Sequence, residues 1–189
     1  MKMKPAGQSG RVLVELGPRD SERLSQGSEP VRGPAAPFKL SRILVPVDFS
    51  ACSMKALQYA IPFARQFNAS ITLLNVVRIN YAVGTEFGAV DFPFIETEIR
   101  KGAEKQLAAL AAEHASSGVK VDTELRSGLE AQGIAEAAKS LESDLIILST
   151  HGHTGLKHLF LGSVAENVVR LAPCPVLVVR EKEHEFVEV

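Results

Sequence analysis

A glycine-bearing loop spanning residues 149–163 is the part of the sequence best suited to chemistry. It carries Gly152, Gly162 and Ser163, and it lies between an apolar run at 145–148 and a predicted helix. Glycines let the backbone approach a ligand without an intervening Cβ. The start of the helix offers unpaired N–H groups and a partial positive charge to an anion. The pattern therefore predicts a loop that binds the phosphates of a nucleotide.

Two polar residues near this predicted site also have purely structural explanations. Ser163 and Glu166 have the Ser-x-x-Glu spacing of a capping box, in which the serine caps the helix. The glycines before Ser163 favour a phosphate role, and the two roles can coexist. Asp48, which ends a β-branched run, is either a ligand-binding carboxylate or a turn residue that hydrogen-bonds local backbone.

Three histidines, His151, His153 and His158, lie close together in the loop. No cysteine or carboxylate joins them, and their spacing matches no zinc-ligand pattern. We predict no metal held by protein side chains. A Mg²⁺ ion would arrive with the nucleotide, held largely by phosphate oxygens and water.

Composition argues against several classes of protein. The 189 residues carry a formal net charge of −1, which gives no bulk electrostatic case for binding nucleic acid or an anionic membrane. No apolar run approaches the roughly 20 residues of a membrane helix, and no secretory signal is evident. Cys52 and Cys174 cannot build a disulfide framework, so we expect a cytoplasmic protein. Cys174 is expected to be a small apolar packing residue.

Residues 1–38 differ in composition from the rest of the chain. They hold five of the ten prolines and five of the fourteen glycines. Such a segment cannot bury enough apolar surface to offset its ordering entropy. We predict a mostly disordered tail, with room for a short strand or helical turn near 11–16 or 20–24. The folded domain is expected to cover 39–181, and 182–189 to form a short tail.

From residue 39 onward, strand-like apolar runs alternate with segments of helical periodicity. This alternation predicts an α/β fold with parallel strands, right-handed crossovers and helices on both faces. We expect a doubly wound five-stranded parallel sheet with the strand order 3-2-1-4-5. Ligands bind such sheets at the carboxyl ends of strands where the winding reverses. Asp48 and the glycine loop follow the first and fourth strands, so they are predicted to flank one crevice.

The spacing of apolar residues predicts the buried faces of three helices. In chain order the predicted faces are Leu57, Ile61 and Ala64, then Ile95, Ile99, Ala103, Leu107, Leu110 and His114, then Ile134, Ala137, Ala138 and Leu141.

The last predicted strand, 176–179, is apolar on both faces, although the strand order places it at a sheet edge. Exposed apolar edges invite pairing with a second chain, and symmetric pairing closes a two-fold dimer. We therefore expect a homodimer through this strand.

Three separated motifs resemble the universal stress protein (UspA-type) family. They are the segments 43–50, 149–163 and 171–179, and the resemblance covers roughly residues 39 to 180. It implies an adenine-nucleotide-binding fold, a homodimer and a role in stress resistance, usually as a binding or regulatory module.

The ATP-binding branch of that family carries Gly-x2-Gly-x9-Gly-Ser/Thr after the fourth strand. Gly152, Gly162 and Ser163 match the last three positions, and Ser149 replaces the first glycine. Serine is small enough for close backbone approach, whereas a positive φ would be penalised there. The resemblance assigns the ribose and phosphates to Gly152, Gly162, Ser163 and the amide of Val164. Ser149, in the place of the first glycine, is also a predicted binding residue.

The resemblance assigns the adenosine to the ends of the first two strands. It implies that Asp48 acts through its carboxylate and Val76 through backbone groups that read the adenine edge. Pro46 and Val47 complete the predicted binding site. The implied ligand is ATP with Mg²⁺.

Three classes of function stay open. The first is a nucleotide-binding stress module, the second a slow ATP hydrolase, and the third a nucleotide-free dimeric interaction protein. An efficient hydrolase needs a positioned base or metal-held water and charge stabilisation at the γ-phosphate. The loop supplies backbone donors but no arginine and no evident base, so binding is favoured over catalysis.

Overall fold

A computed structural model of the protein gives its fold. The residues that it describes are 2–5, 12–15, 39–78, 92–150 and 162–180. The chain separates into two units, 1–38 and 39–189.

The first unit contains a small antiparallel sheet. Strands β1 (Lys2–Pro5) and β2 (Val12–Glu15) pair with Lys2 opposite Glu15. β2 lies within 11–16, one of the two stretches in which the sequence allowed a short strand or helical turn. The prediction was a mostly disordered tail over 1–38; apart from these two strands, that segment lies outside the described residues, and its disorder stays a prediction.

The second unit is an α/β domain. Its strands are β3 (Arg42–Pro46), β4 (Ser70–Val77), β5 (Val121–Ser127), β6 (Leu145–Ser149) and β7 (Val176–Val179). Its helices are α1 (Ala51–Phe67), α2 (Phe92–Glu113), α3 (Glu130–Ser140) and α4 (Ser163–Leu171), with a short 3-10 helix at Ala115–Ser117. Within the described ranges, no helix combines the length and apolar character needed to cross a bilayer.

The five strands form one parallel sheet in the order β5-β4-β3-β6-β7. Counted within this unit, this is the predicted order 3-2-1-4-5, so that prediction is confirmed. The winding reverses between β3 and β6, where Ile43 lies opposite Leu145. We call the space beyond the carboxyl ends of these two strands, between Asp48 and Thr150, the β3–β6 crevice.

Helices cover both faces of the sheet. On one face, Leu57 of α1 and Leu107 of α2 pack in a cluster with Leu73 of β4. On the other, Ile134 of α3 and Val168 of α4 pack in a second cluster. Each such burial contributes about 1.5–3 kcal/mol. The two clusters hold helices against both faces of the sheet.

The predicted buried faces hold for α1 and α3, but the start of α2 differs. Leu107 is buried as expected, whereas Ile95 and Ile99 are 43% and 45% exposed, so the prediction was wrong for these two residues. Arg100 Nη1 donates to the Oγ of Ser127, the last residue of β5, over 2.6 Å. The turns of α2 before Arg100 therefore run past the end of that strand, which periodicity alone does not reveal.

Asp144 joins the amino ends of β3 and β6. Its Oδ2 accepts hydrogen bonds from the N–H groups of Ser41 and Arg42, at 2.8 and 2.9 Å. Its own N–H donates to the Arg42 carbonyl over 2.9 Å. A carboxylate that accepts two backbone N–H groups forms charge-assisted bonds stronger than neutral ones. This end of the strand pair is therefore closed by the protein itself.

Candidate functional site

The described members of the predicted site lie at the carboxyl ends of three strands and at the start of α4. Pro46 ends β3, and Val47 beyond it is 4% exposed. Val76 lies near the end of β4, and Ser149 ends β6. Because neighbouring parallel strands end at the same edge of a sheet, these positions share one edge.

Asp48 opens the turn that carries the chain from β3 into α1. Its Oδ1 accepts hydrogen bonds from the N–H and the hydroxyl of Ser50, at 3.1 and 2.6 Å. Ser50 in turn caps α1, because its Oγ accepts from the Ser53 N–H over 3.2 Å. Phe49 between them has a left-handed φ of 63°, which is costly for a residue with a Cβ. The turn role of Asp48 is thus confirmed, and it holds the carboxylate beside the crevice.

The backbone of Val76 faces the end of β3. Registered pairing of β3 with β4 stops at Pro46 opposite Leu74, and the Val47 N–H donates to the Leu74 carbonyl over 2.8 Å. Alternate residues of a strand direct their N–H and C=O groups to the same side. Val76 therefore presents both groups on the same side as Leu74, beyond the last registered pair. The family resemblance assigned adenine to this edge, and that role stays a prediction.

The side chain of Val76 packs on the opposite face from α1, in the cluster formed with α3 and α4. Gly133 of α3 lies directly over it, since a Cβ on Gly133 would come within 3.0 Å of Val76 Cγ1. Glycine at this helical position lets α3 pack closely on β4 and fixes the depth of Val76 in the sheet.

The two ends of the glycine loop are hydrogen-bonded together. Thr150, 4% exposed, donates from its N–H to the Val179 carbonyl over 2.9 Å and accepts from the Gly162 N–H over 2.8 Å. Ser149 immediately before it pairs with Val179 in the sheet. The start of α4 is therefore anchored at the carboxyl end of β6.

The start of α4 corrects one sequence-based explanation. Gly162 is the N-cap, its carbonyl accepts the Glu166 N–H over 2.9 Å, and Ser163 is the first helical residue. The capping box predicted for Ser163 and Glu166 is therefore wrong. The Glu166 side chain instead pairs with Arg170 over 2.8 Å. The helix starts one residue early because the Gly162 N–H is fixed to Thr150.

The glycine at 162 is not demanded by backbone conformation. Its φ of −67° and ψ of 151° suit any residue. Inside the helix, the N–H groups of Ser163, Val164 and Ala165 lack carbonyl partners. The helix dipole adds the equivalent of roughly half a positive charge at this end. Ser163 is exposed and Val164 is 38% exposed, so the donors of these two residues lie at an accessible helix start, whereas Ala165 is buried.

Some predicted residues fall outside the described part of the chain. Gly152 and the histidines at 151, 153 and 158 lie there, and their predicted roles stay predictions. Among the described residues, no group of three His, Cys, Asp or Glu side chains is placed to hold a metal ion.

Cys174 is a packing residue, as expected. It is half-buried against the cluster of α3 and α4. Burial, and then the charge of Asp144, raise the pKa of the Cys174 thiol. A thiol that stays protonated is a poor nucleophile.

Sequence reasoning gave no role to Asn75, the residue before Val76. Its Nδ2 donates to the Val47 carbonyl over 2.7 Å. The available signal was a lone amide within the otherwise apolar stretch 73–77 of β4.

Known proteins of one family are similar to this chain in sequence. The sequence model of the universal stress protein family matches residues 39–180. Universal stress protein MJ0531 of Methanocaldococcus jannaschii is 35% identical over 144 residues, which cover 76% of this chain and 84% of that protein. Universal stress protein YxiE of Bacillus subtilis is 34% identical over 146 residues, covering 74% of this chain and 99% of that protein.

Solved structures share the fold. Universal stress protein UspA from Lactobacillus plantarum superposes with a TM-score of 0.67 at 29% identity, covering 76% of this chain and 99% of that one. Two further structures, at 18% identity and TM-scores of 0.53 and 0.52, are a universal stress protein in complex with cAMP and one from Archaeoglobus fulgidus in complex with dAMP. With its sheet order, its motifs and these matches, the chain belongs to the universal stress protein family.

Proposed function

We propose that this protein binds ATP with Mg²⁺ in the β3–β6 crevice and acts as a nucleotide-dependent regulatory module of the stress response in the cytoplasm. The observation that carries the proposal is the hydrogen bond from Gly162 to Thr150, 2.8 Å long. It anchors the anion-attracting start of α4 at the reversal of winding, beside the carboxyl end of β3.

The phosphates are assigned to the loop and the start of α4. In this proposal the N–H groups of Ser163 and Val164 donate to phosphate oxygens, where anions gain from the helix dipole. Gly162 provides room for that approach, since its conformation does not require glycine. Ser149 and Gly152 complete the set at the other end of the loop. The metal would be held largely by phosphate oxygens and water.

The adenosine is assigned to the ends of β3 and β4. The N–H and C=O of Val76 provide a neighbouring donor and acceptor for the edge of a base. Asp48 contributes its carboxylate from the turn, and Pro46 and Val47 form the adjoining wall. Complexes of two proteins that share this fold, with cAMP and with dAMP, support an adenine nucleotide as the ligand class.

Binding rather than efficient catalysis is proposed. Rapid phosphoryl transfer requires charge stabilisation at the γ-phosphate and a group that activates water. Residues 149–163 include no arginine and no carboxylate. We therefore expect hydrolysis to be very slow or absent, and the bound nucleotide to act through conformation or partner choice.

We also propose a homodimer through β7. The carbonyls of Pro175 and Val179 accept hydrogen bonds from β6 and from the residue after it. Because alternate residues of a strand direct their N–H and C=O groups to the same side, those of Val176 and Val178 face away from β6. Half-buried apolar side chains along this edge would be covered by a second copy.

The dimer is tested by light scattering of Val178→Pro, which removes an outward N–H and leaves the bonds to β6 in place. The matched control is Thr123→Pro, at an outward-facing position of the other edge strand, β5. The parent and the control should be dimers and Val178→Pro a monomer. A monomeric parent at micromolar concentration would contradict the dimer.

The proposed ligand is tested by mass spectrometry of small molecules released from purified, denatured protein, followed by calorimetric titration of stripped protein with MgATP. We expect a released adenine nucleotide and saturable ATP binding. If no nucleotide is released and no heat of binding is measured, the nucleotide-free interaction protein becomes the better account.

A further inference from the structure

The amide of Asn75 makes a specific contact at the point where β3 and β4 part. The residue is half-buried within an apolar stretch of β4, and its Nδ2 lies 2.7 Å from the carbonyl oxygen of Val47. Because a carbonyl oxygen only accepts, the side chain is the donor. A half-buried amide in such surroundings is costly unless it gains a partner. Here the partner is a backbone carbonyl of the neighbouring strand's end.

That carbonyl is the acceptor which the β3–β4 ladder would use next. In a parallel pair, the bond from the Val47 N–H to the Leu74 carbonyl is followed by one from the Val76 N–H to the Val47 carbonyl. The first bond is present at 2.8 Å, yet registered pairing stops at Pro46 opposite Leu74. The Asn75 side chain thus donates to the oxygen with which Val76 would have paired, and the registered pairing of β3 with β4 does not extend to Val76.

We infer that Asn75 is a positioning residue for base recognition: it ends the β3–β4 ladder one bond early and keeps the main-chain N–H and C=O of Val76 directed into the β3–β6 crevice. The inference rests on the proposed nucleotide function. A donor beside an acceptor matches adenine, which presents a ring-nitrogen acceptor next to an amino donor, whereas guanine has an oxygen acceptor in the place of that amino group. Asn75 acts through Val76 and does not itself contact the base.

The first part of the test needs no nucleotide. Amide hydrogen exchange on the full-length, nucleotide-free protein should show Val76 exchanging at least tenfold faster than Leu74, which lies within the registered ladder. In Asn75→Leu, which keeps the size of the side chain but lacks the donor, the Val47 carbonyl becomes available. The Val76 amide should then become protected.

The second part measures ligands. Asn75→Leu should weaken MgATP binding by about fivefold, the loss of one hydrogen bond to the base, and leave binding of inorganic tripolyphosphate unchanged. Preference for ATP over GTP should fall by a similar factor. A merely structural role would alter ATP and tripolyphosphate alike.

The matched control is Ser70→Ala, at the other end of the same strand pair. Ser70 Oγ donates to the Ser41 carbonyl over 3.3 Å, so this change also removes a side-chain bond from β4 to the backbone flanking β3. Neither Val76 exchange nor the ATP dissociation constant should change. Should Asn75→Leu fail to fold, Asn75→Ala removes the same donor with less bulk.

Slow exchange of Val76 in the nucleotide-free parent, equal to that of Leu74, would overturn the inference. So would Asn75 variants that fold, leave Val76 exchange unchanged and bind ATP like the parent. If the parent binds no ATP, the proposed function fails and base positioning fails with it. The exchange data then still decide whether Asn75 ends the ladder.

Discussion

The two ends of the β3–β6 strand pair differ in what their backbone groups face: a side chain of the protein at one end and the crevice at the other. At the amino end, the Asp144 carboxylate accepts two N–H groups from Ser41 and Arg42 and ties the strands together. At the carboxyl end, the chain turns away at Asp48 and Thr150, and Val76 and the start of α4 present backbone groups to the crevice. The same sheet is thus closed by its own side chain at one end and left available for a ligand at the other. Changes at one end should alter folding stability, and changes at the other should alter binding.

The largest expected effect is on binding, from Gly162→Val. The backbone at 162 accepts a β-branched residue, but its side chain would occupy the space proposed for the phosphates. We expect MgATP affinity to fall by more than about 100-fold, roughly 2.7 kcal/mol, with little change in the free energy of unfolding. Calorimetry with circular dichroism as the fold control checks this.

The control for that substitution is Gly102→Val in α2, where an added Cβ meets nothing within 4 Å. It should bind ATP like the parent. If folded Gly162→Val also binds ATP like the parent, the loop is structural and the two ends of the strand pair do not differ in the way described.

The next effect is on stability, from Asp144→Ala. Loss of two charge-assisted bonds should lower the free energy of unfolding by about 2–3 kcal/mol while MgATP affinity stays within twofold. Urea denaturation and calorimetry measure the two quantities. The control is Asp122→Ala, which removes an exposed β5 carboxylate paired with Lys120 and should cost less than about 1 kcal/mol of stability. A large loss of ATP affinity in Asp144→Ala would break the separation between the two ends.

A smaller effect is expected at Asp48. Asp48→Ala should weaken adenosine recognition and also loosen the turn, since Ser50 loses its acceptor. Asp48→Asn keeps an oxygen for Ser50 but removes the charge, so it isolates the ligand role. We expect about tenfold weaker ATP binding with tripolyphosphate binding unchanged. Equal ATP affinity in parent and Asp48→Asn would reduce Asp48 to its turn role.

The smallest effect is expected at Ser149, the one departure from the glycine pattern. Ser149 lies in β6 and pairs with Val179, so the freedom of glycine is not used there. Ser149→Gly should leave ATP affinity unchanged or slightly improved and lower stability by about 0.5–1 kcal/mol. A tenfold gain in affinity would show that serine obstructs the site.

Much of this arrangement was predictable from local patterns. Alternating strands and helices fix a doubly wound sheet, and that topology alone brings Asp48 and the glycine loop to one edge. Helical periodicity located the buried faces of α1 and α3, because both helices pack on the sheet through those faces.

What sequence reasoning missed depends on contacts between distant residues. Ile95 and Ile99 follow the periodicity of α2, but their exposure is set by where β5 ends. The N-cap of α4 is Gly162 rather than the predicted Ser163, because the Gly162 N–H donates a hydrogen bond to the carbonyl of Thr150, at the other end of the loop. Asn75 was passed over because its partner, Val47, follows a different strand, β3.

The most direct test of the central claim is amide hydrogen exchange of the parent protein with and without saturating MgATP. The account predicts protection of the Val76 amide and of the amides of Ser163 and Val164. The amides of Ser41 and Arg42 at the opposite end of the strands should exchange as before. Protection confined to other regions, with ATP demonstrably bound, would show that the nucleotide does not occupy the β3–β6 crevice.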